Sequence, residues 1–523
     1  MLSTRAESFD PKAAKAITLT IGLFVLTWLV SEWVIQGSSL YLVLLCVGCA
    51  GFIGSKIIMR DWRSGIFIFL GWLVLEDQIR KYLGNNLFIF FAKDAIIGVT
   101  YLAMYNAGRR GRLLTFKPPF MLWLGLFFWM AALQVFNPNS LSVFYGLLGM
   151  KTYFYYVPLI FAGYAILRTD EDLHKILMVN MWIALAVSGF GLLQSFGGGD
   201  FLTPKDLAPE LYMLSHVQRG TTESGLAFMR ASSLFVSDAR FAQFLILLFI
   251  LAVGTAGYLL LRKTRGRYLV FGALGVITIA TIMCGARSPI VYLIVDAIVL
   301  SLAMLWGAPW RQGQVFRLGK AIRNMIIVCA ISIGLATVLF PDQISRRWAF
   351  YSDTLVPTGA HSELGNRAWD YPIKNTEAVF EHPNWRFGNG TGAASLGTQY
   401  VSRTFGVVAP HVAEESGYAQ LIAEFGLLGP ILWTIWTVSV ILAAWQVVRK
   451  LRQTPLFPIG FAIFWYAFMV LGPFTLYGLS NYQNYLTCAY LWLTLGMLFR
   501  LPGLHAENQA VAATKLQHAA AAS

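Results

Sequence analysis

The chain has 523 residues, of which 57% are hydrophobic and only 13% are charged. A soluble domain carries about 25% charged residues, so this composition excludes an ordinary soluble protein and points to lipid as the surrounding solvent. The formal net charge is +14. The basic residues lie in short clusters between apolar runs, which argues against a nucleic-acid-binding stripe.

Apolar runs long enough to cross the hydrocarbon core recur along the whole chain. The first run is longer than the apolar region of a signal peptide and no small-residue cleavage site follows it, so we expect it to be retained. We therefore predict an all-α polytopic membrane protein with about fourteen transmembrane helices. The predicted spans are 16–35, 39–58, 64–80, 86–105, 118–136, 148–167, 174–195, 237–261, 268–284, 288–306, 324–340, 416–446, 456–475 and 484–500.

Basic clusters in alternate loops predict the orientation of the chain. They occur at 60–63, 109–112, 262–267, 311–323 and 449–452. Loops that are rich in Lys and Arg stay in the cytoplasm, so we expect both termini to be cytoplasmic. The predicted organisation is a cytoplasmic N-terminus at 1–15, transmembrane helices 1–11 at 16–340, a large extracytoplasmic loop at 341–412, transmembrane helices 12–14 at 413–500, and a cytoplasmic tail at 501–523.

Several short patterns that suggest a ligand are better explained as structure. The five cysteines fall inside apolar runs, and the Cys-Val-Gly-Cys sequence at 46–49 lacks the second pair that a zinc site needs. The Gly-Asn-Gly-Thr-Gly sequence at 388–392 lacks the Lys-Ser/Thr of a phosphate loop, so a turn is favoured. With no His/Cys cluster in the sequence, we expect no metal and no cofactor.

Positive charge on the predicted outer side needs a local explanation, because the cytoplasm is its usual location. Among the arginines on that side, we single out Arg230, Arg240, Arg287 and Arg367. One explanation is an ion pair with a nearby carboxylate, such as Asp238 or Asp370. The other is a convergent anion site, since guanidinium groups match phosphate oxygens bidentately and four of them would suit a diphosphate.

Titratable residues also gather where the large loop re-enters the membrane. On a helix, His411 and Glu415 would share a face, being four residues apart. Glu415 could take a proton from a hydroxyl there, although both residues could equally be solvated loop ends. Glu424 lies within an apolar run and must be paired or hydrogen-bonded, so we expect a structural role for it. Asp296, in another apolar run, would by itself indicate ion or proton transport.

Four motifs occur in an order that is similar to one superfamily. They are the charged sequence Glu-Asp-Gln-Ile-Arg-Lys at 76–81 with Lys-Asp at 93–94, Ala286-Arg287-Ser288, the series Arg367, Trp369, His382-Pro383, Gly388 and Gly390, and Glu424-Phe-Gly-Leu-Leu-Gly429. Together with the topology, they resemble the O-antigen ligase and bacterial polysaccharide polymerase superfamily, in its exopolysaccharide polymerase branch. In this spacing the histidine position of the family falls on Glu415, and His411 lies four residues too early.

The resemblance implies a metal-independent membrane glycosyltransferase of the bacterial inner membrane, with both termini inside. It would polymerise oligosaccharide repeat units linked to undecaprenyl diphosphate into an exopolysaccharide. Its partners would be the lipid-linked donor, a glycan acceptor, the bilayer and other polysaccharide export proteins, with no nucleic acid. Glu415, or alternatively His411, would be the base, and Arg230, Arg240, Arg287 and Arg367 would bind the diphosphate. Alternatives are an O-antigen ligase and, in a different class, a transporter or lipid-linked-glycan flippase that uses Asp296.

Overall fold

A computed structural model describes residues 39–83, 87–198, 202–216, 218–220, 227–262, 265–310, 312–355, 369–396, 398 and 416–522. The predicted first span at 16–35 lies outside these ranges. Three residues of the predicted site, Arg367, His411 and Glu415, also lie outside them.

The described part of the chain is almost wholly helical. Its first half forms α1 (Ser39–Arg60), α2 (Trp62–Leu83), α3 (Leu87–Arg109), α4 (Met121–Gln134), α5 (Val143–Phe154), α6 (Leu159–Ile166), α7 (Asp170–Gly197), α8 (Pro209–Ser215) and α9 (Asp238–Arg262). The second half forms α10 (Arg267–Met283), α11 (Arg287–Gly307), α12 (Gln312–Leu339), α13 (Pro341–Leu355), α14 (Tyr371–Val379), α15 (Gly417–Phe425), α16 (Leu428–Leu451), α17 (Phe457–Leu471), α18 (Pro473–Tyr477), α19 (Ser480–Gln483) and α20 (Tyr485–Ala522). Two three-residue strands, β1 (Gln218–Gly220) and β2 (Ala227–Met229), pair antiparallel.

Six helical segments in the described part are long and apolar enough to cross a membrane. They are Phe88–Arg109, Asp170–Gly197, Asp238–Arg262, Arg287–Gly307, Leu428–Leu451 and Phe457–Tyr477. Three further apolar segments are shorter, namely Met121–Gln134, Arg267–Met283 and Cys329–Leu339. By length and composition, these helices confirm the prediction of an α-helical membrane protein.

Local sequence explains where some helices begin and end. The predicted span at 148–167 is divided into α5 and α6, because Pro158 has no backbone N–H for a continuous helix. Helix α7 begins with a capping box in which the Thr169 hydroxyl accepts from the Asp172 backbone N–H at 3.2 Å and the Asp172 carboxylate accepts from Thr169 N at 3.0 Å. Two helices, α13 and α14, lie within the predicted loop at 341–412.

The chain divides into two compact units, and the smaller one comprises 1–69 and 94–107. Within it, α2 and α3 lie in close contact at Gly65. A Cβ atom on Gly65 would come within 2.3 Å of the Thr100 hydroxyl oxygen. A glycine is therefore required at this crossing, as is common where membrane helices approach closely.

The larger unit comprises 70–93 and 108–523 and has a core of aromatic side chains. The ring of Phe127 lies 5.6 Å from Trp433, and Trp433 lies 5.0 Å from Tyr482 in an edge-to-face arrangement. Edge-to-face and offset contacts of this kind add to the free energy gained by burial alone. The core thus joins α4, α16 and α19 within this unit.

Helices α6 and α20 lie closer together than ordinary side chains would allow. A Cβ atom on Gly163 would lie 2.0 Å from the Leu493 carbonyl oxygen, and one on Gly496 would lie 2.0 Å from the Ile160 carbonyl oxygen. Two glycines facing opposite backbones let the helices pack backbone to backbone. This contact fixes α20 against the middle of the chain.

Candidate functional site

The segment 230–240, which carries two of the predicted arginines, is held by a buried glutamine of α7. The Gln194 side-chain oxygen accepts from the backbone N–H groups of Ser232 and Ser233 at 2.8 and 2.6 Å. Ser233 has a φ of 52°, in the left-handed region that is uncommon for residues other than glycine. Its hydroxyl donates to the Val187 carbonyl oxygen at 2.6 Å. These bonds fix a strained turn between Arg230 and Arg240.

Both arginines of this segment are engaged by carboxylates, but by different ones. Arg230 Nη1 lies 2.8 Å from the Asp238 carboxylate. Arg240 Nη1 donates to both carboxylate oxygens of Asp77 at 2.8 and 3.0 Å. The ion-pair explanation thus describes Arg230 with its expected partner, Asp238, and Arg240 with a partner on α2.

Asp77 belongs to a group of ionisable side chains that we call the charged cluster, comprising Glu76, Asp77, Arg80, Lys81, Lys93 and Arg240. Lys93 Nζ lies 3.0 Å from Glu76 Oε1, and Arg80 Nη1 lies 3.3 Å from Asp77 Oδ1. All members except Arg240 are buried, and Arg240 is 26% exposed. Charges removed from water in this way are tolerated only when they are paired and hydrogen-bonded.

Neutral groups complete the charged cluster. Lys81 Nζ donates to the Ser233 carbonyl oxygen at 3.1 Å, and the Val236 N–H donates to Asp77 Oδ2 at 3.1 Å. Burial lowers the pKa of Lys81 to about 8, an effect that the Asp77 carboxylate opposes. The Tyr485 hydroxyl, at the start of α20, accepts from Arg240 Nη1 at 3.3 Å. The cluster therefore joins α2, the segment 230–240 and α20.

The other end of the segment 230–240 lies beside the turn that precedes α11. The Ala231 N–H donates to the Cys284 carbonyl oxygen at 3.2 Å. Arg287 is the first residue of α11, and its guanidinium carbon lies 5.4 Å from the centre of the Phe350 ring. Arg230 and Arg287 are therefore each within three residues of one backbone contact between the segment and the turn.

A fifth arginine, Arg347, which the sequence analysis did not single out, hydrogen-bonds to the backbone just before the same turn. Arg347 of α13 is 3% exposed. Its Nε donates to the Met283 carbonyl oxygen and its Nη2 to the Ser195 carbonyl oxygen, both at 3.0 Å. Its Nη1 donates to the backbone and side-chain oxygens of Gln343, also at 3.0 Å. Burial lowers the pKa of Arg347 from its usual value, although a guanidinium group stays protonated in proteins.

Glu424 and the glycine-rich loop form a separate arrangement. The carboxylate accepts from the backbone N–H of Gly392 at 3.1 Å and of Ala394 at 3.0 Å. Glycines 388, 390 and 392 all have positive φ, so the loop turns its N–H groups toward one anion in the manner of a backbone nest. Here that anion is the protein's own carboxylate. The predictions of a turn at 388–392 and of a hydrogen-bonded Glu424 are confirmed.

Asp296 lies in α11 and contacts α17. Its Oδ1 accepts from the Trp465 indole N–H at 2.7 Å. Its Oδ2 has no hydrogen-bond partner among the described residues, and the side chain is fully buried. A carboxyl group with a single neutral donor in an apolar helix is unusual, because buried polar oxygens are normally satisfied.

The structure brings Arg230, Arg240 and Arg287 into one framework, although Arg230 and Arg240 contact different carboxylates. It gives no location for Arg367, His411 or Glu415, which lie outside the described residues. In the described ranges, no group of three or more His, Cys, Asp or Glu side chains is placed to hold a metal ion. Gln194 and Arg347 were not predicted as site residues. The one sequence signal that could have identified them is a long polar side chain within or beside an apolar run.

Comparison with known proteins adds no relative. No family model matches the chain, and neither a curated protein nor a solved structure gives a significant match. The candidate site therefore has to be interpreted from its own geometry.

Proposed function

We propose that this chain is a membrane glycosyltransferase that polymerises polyprenyl-diphosphate-linked oligosaccharide repeat units into a cell-surface polysaccharide or exopolysaccharide. The observation that carries the proposal is the segment 230–240, whose backbone is fixed by hydrogen bonds to Gln194. It holds Arg230 and Arg240 at its two ends and is hydrogen-bonded to the turn that leads into Arg287. Guanidinium groups on a rigid framework suit the stabilisation of a departing diphosphate, because they need no rearrangement as charge develops.

In the proposed reaction, a hydroxyl of the acceptor sugar loses its proton to a base and attacks the anomeric carbon of the donor. The new oxygen–carbon bond forms as the bond from that carbon to the diphosphate oxygen breaks, and the electron pair leaves with the diphosphate. Glu415 is the proposed base, and the proton then passes to the diphosphate or to water. Arg230, Arg240, Arg287 and Arg367 stabilise the leaving group. Neither a metal nor a cofactor takes part.

The proposed topology is fourteen spans in the bacterial inner membrane, with both termini in the cytoplasm and the loop at 341–412 outside. Six candidate spans and three shorter apolar helices among the described residues support a helical membrane protein, and the number fourteen is part of the proposal. A cysteine introduced at Ser362 or Thr398 should react with an impermeant thiol reagent added to intact cells, whereas one at Gly111 should not. Reaction at Gly111 with protection at Ser362 would contradict the orientation.

The direct test of the function is chain extension by the purified full-length protein. The protein is incubated with polyprenyl-diphosphate-linked repeat units, without nucleotide or added metal, and the products are separated by size. A ladder of products that differ by one repeat unit supports a polymerase. Donor that stays unextended under conditions in which the protein remains folded would contradict the proposal.

Replacing the base should produce a large loss of this activity. General-base catalysis typically contributes about 10²–10⁴-fold, so we expect Glu415→Gln to lower chain extension by that order while unextended lipid-linked repeat units accumulate. Glu414→Gln and His411→Ala are the matched controls and should have milder effects. Loss of activity in His411→Ala with an active Glu415→Gln would assign the base to histidine and favour the ligase alternative.

The same chain-extension assay distinguishes the polymerase from two alternative functions. An O-antigen ligase would transfer finished glycan once to a lipid or protein acceptor and give one product rather than a ladder. A transporter or lipid-linked-glycan flippase is favoured by one observation, the incompletely hydrogen-bonded Asp296 within α11. Asp296→Asn should abolish translocation of a flippase but leave chain extension by a transferase near the wild-type level.

A further inference from the structure

A polar cavity lies next to the framework that holds the arginines. Its volume is about 440 Å³, within the range of pockets that bind small molecules. The end of α7, β2 and the junction of α12 with α13 form its walls. The lining residues that carry the argument are Gln194, Phe340, Asp342, Gln343, Arg346 and Arg347.

The cavity wall formed by α13 presents both hydrogen-bond acceptors and donors. Asp342 and Arg346 are four residues apart on one face of the helix, as are Gln343 and Arg347. A carboxylate only accepts hydrogen bonds, a guanidinium group only donates them, and an amide does both. Gln343 and Arg347 already bond to each other, so a ligand with adjacent hydroxyl groups would donate to Asp342 and accept from Arg346.

Two lining residues connect the cavity to the candidate site. Gln194, which is 1% exposed, also fixes the backbone of Ser232 and Ser233 between the predicted arginines. Arg347 also donates to the Met283 carbonyl oxygen, just before the turn that leads to Arg287. A ligand in the cavity would thus contact the same side chains that hold the arginine framework.

We propose that this cavity binds a sugar residue of the glycan substrate, an inference that rests on the proposed glycosyltransferase function. The Asp342 carboxylate in the wall would repel a phosphate, whereas Arg346 and Arg347 would attract one, so phosphate is the competing ligand in the test. An apolar ligand is disfavoured, because it would displace water from the Asp342 and Arg346 side chains without replacing its hydrogen bonds. The alternating acceptors and donors match a polyhydroxylated ligand, and the Phe340 ring beside them provides an apolar surface for a sugar ring.

The test measures binding without the lipid-linked donor, so it is independent of transfer. The probe is a set of oligosaccharides that mild acid releases from the surface polysaccharide of the producing cells, tagged at the reducing end. Binding to the purified full-length protein is followed by equilibrium dialysis. The variants are Asp342→Asn and Arg346→Gln, whose side chains are not fully buried. The controls are Asp370→Asn and Lys374→Gln, an exposed carboxylate–ammonium pair elsewhere in the predicted loop.

Each cavity variant should weaken binding about tenfold, because hydrogen bonds to charged groups are the stronger kind, and the controls should bind as the wild type does. Equal binding by all variants, or no binding by the wild type, would overturn the proposal. So would displacement of the probe by inorganic phosphate together with sensitivity to Arg346→Gln alone, since that result identifies an anion site. Chain extension by a protein whose cavity variants bind normally would refute the cavity and leave the transferase intact.

Discussion

The charged cluster and the surroundings of Arg347 accommodate buried positive charge in two different ways. In the cluster, Arg240 contacts the Asp77 carboxylate at 2.8 Å and Lys93 contacts Glu76 at 3.0 Å. Arg347 instead donates to three backbone carbonyl oxygens and to the side-chain amide oxygen of Gln343, which are neutral acceptors.

The difference suggests a division of roles between the two regions. A guanidinium group that is already paired with a carboxylate has to give up that ion pair to bind a substrate anion. When the acceptors around a guanidinium group are neutral, they do not cancel its positive charge, which can then attract an anion nearby. We therefore expect the five buried members of the charged cluster to contribute mainly to folding, and the partly exposed Arg240 to bind the diphosphate at the cost of its ion pair with Asp77. We expect the region of Arg287 and Arg347 to contribute mainly to substrate binding.

The largest expected effect is the loss of folded protein when Asp77 is replaced. Asp77→Ala leaves Arg240 and Arg80 without a carboxylate that both contact, and breaking a buried pair in this way costs about 3–5 kcal/mol. The yield of detergent-solubilised monodisperse protein should collapse. Asp370→Ala removes the exposed pair with Lys374, which is worth about 0–1 kcal/mol, and its yield should be normal. Equal yields of the two variants would remove the proposed distinction.

The pH dependence of stability should identify Lys81 as a second contributor from the charged cluster. Its pKa in the folded protein is about 8, against an ordinary value of 10.5. Below pH 8 the group is charged in both states and the burial penalty is complete. Between pH 8 and 10.5 only the unfolded chain keeps the proton, so the free energy of unfolding rises with pH by about 3 kcal/mol.

Thermal unfolding of the detergent-solubilised protein at several pH values measures this contribution as the difference between wild type and Lys81→Met. The variant should lack the rise above pH 8, because methionine has no proton to release. Parallel pH profiles for the two proteins would mean that Lys81 does not contribute to the cluster in this way.

The smallest effect in free energy concerns Arg287 and should appear in activity instead of stability. Arg287→Lys keeps the charge but loses the planar fork. The loss of one strong hydrogen bond costs about 1.5–3 kcal/mol, so chain extension should fall by about 10- to 100-fold with an unchanged melting temperature. Arg262→Lys, which alters an ion pair with Asp170 on the predicted cytoplasmic side, is the control. Full activity of Arg287→Lys would exclude Arg287 from the diphosphate site.

The sequence predicted the features that depend on local composition. Apolar runs predicted a helical membrane protein, and the isolation of Glu424 in such a run predicted that it would be hydrogen-bonded. Contacts between distant segments were beyond its reach. Nothing in the spacing of Asp77 and Arg240 indicates that they meet across 163 residues. Nor does the local sequence reveal that Gln194 holds Ser233 in a left-handed conformation.

The arginines show the same limit. Their unusual side of the membrane drew attention to Arg230, Arg240 and Arg287, but orientation rules cannot distinguish an arginine held by a carboxylate from one held by carbonyl oxygens. Arg347 was overlooked because it follows Arg346 in an amphipathic helix, where adjacent basic residues usually face water. Its burial results from packing of α13 against the end of α10.

The charged cluster has a consequence for biosynthesis. Its acids are in α2, whereas Arg240 is made 163 residues after Asp77 and Tyr485 another 245 residues later. At about 5–20 residues per second, α2 waits roughly ten to thirty seconds for Arg240. During that interval α2 carries two basic residues of the cluster itself, Lys81 and Arg80, and Arg80 lies three residues from Asp77 and four from Glu76. Both can therefore act during insertion as local counterions, which keep the helix close to neutral until its distant partners are made.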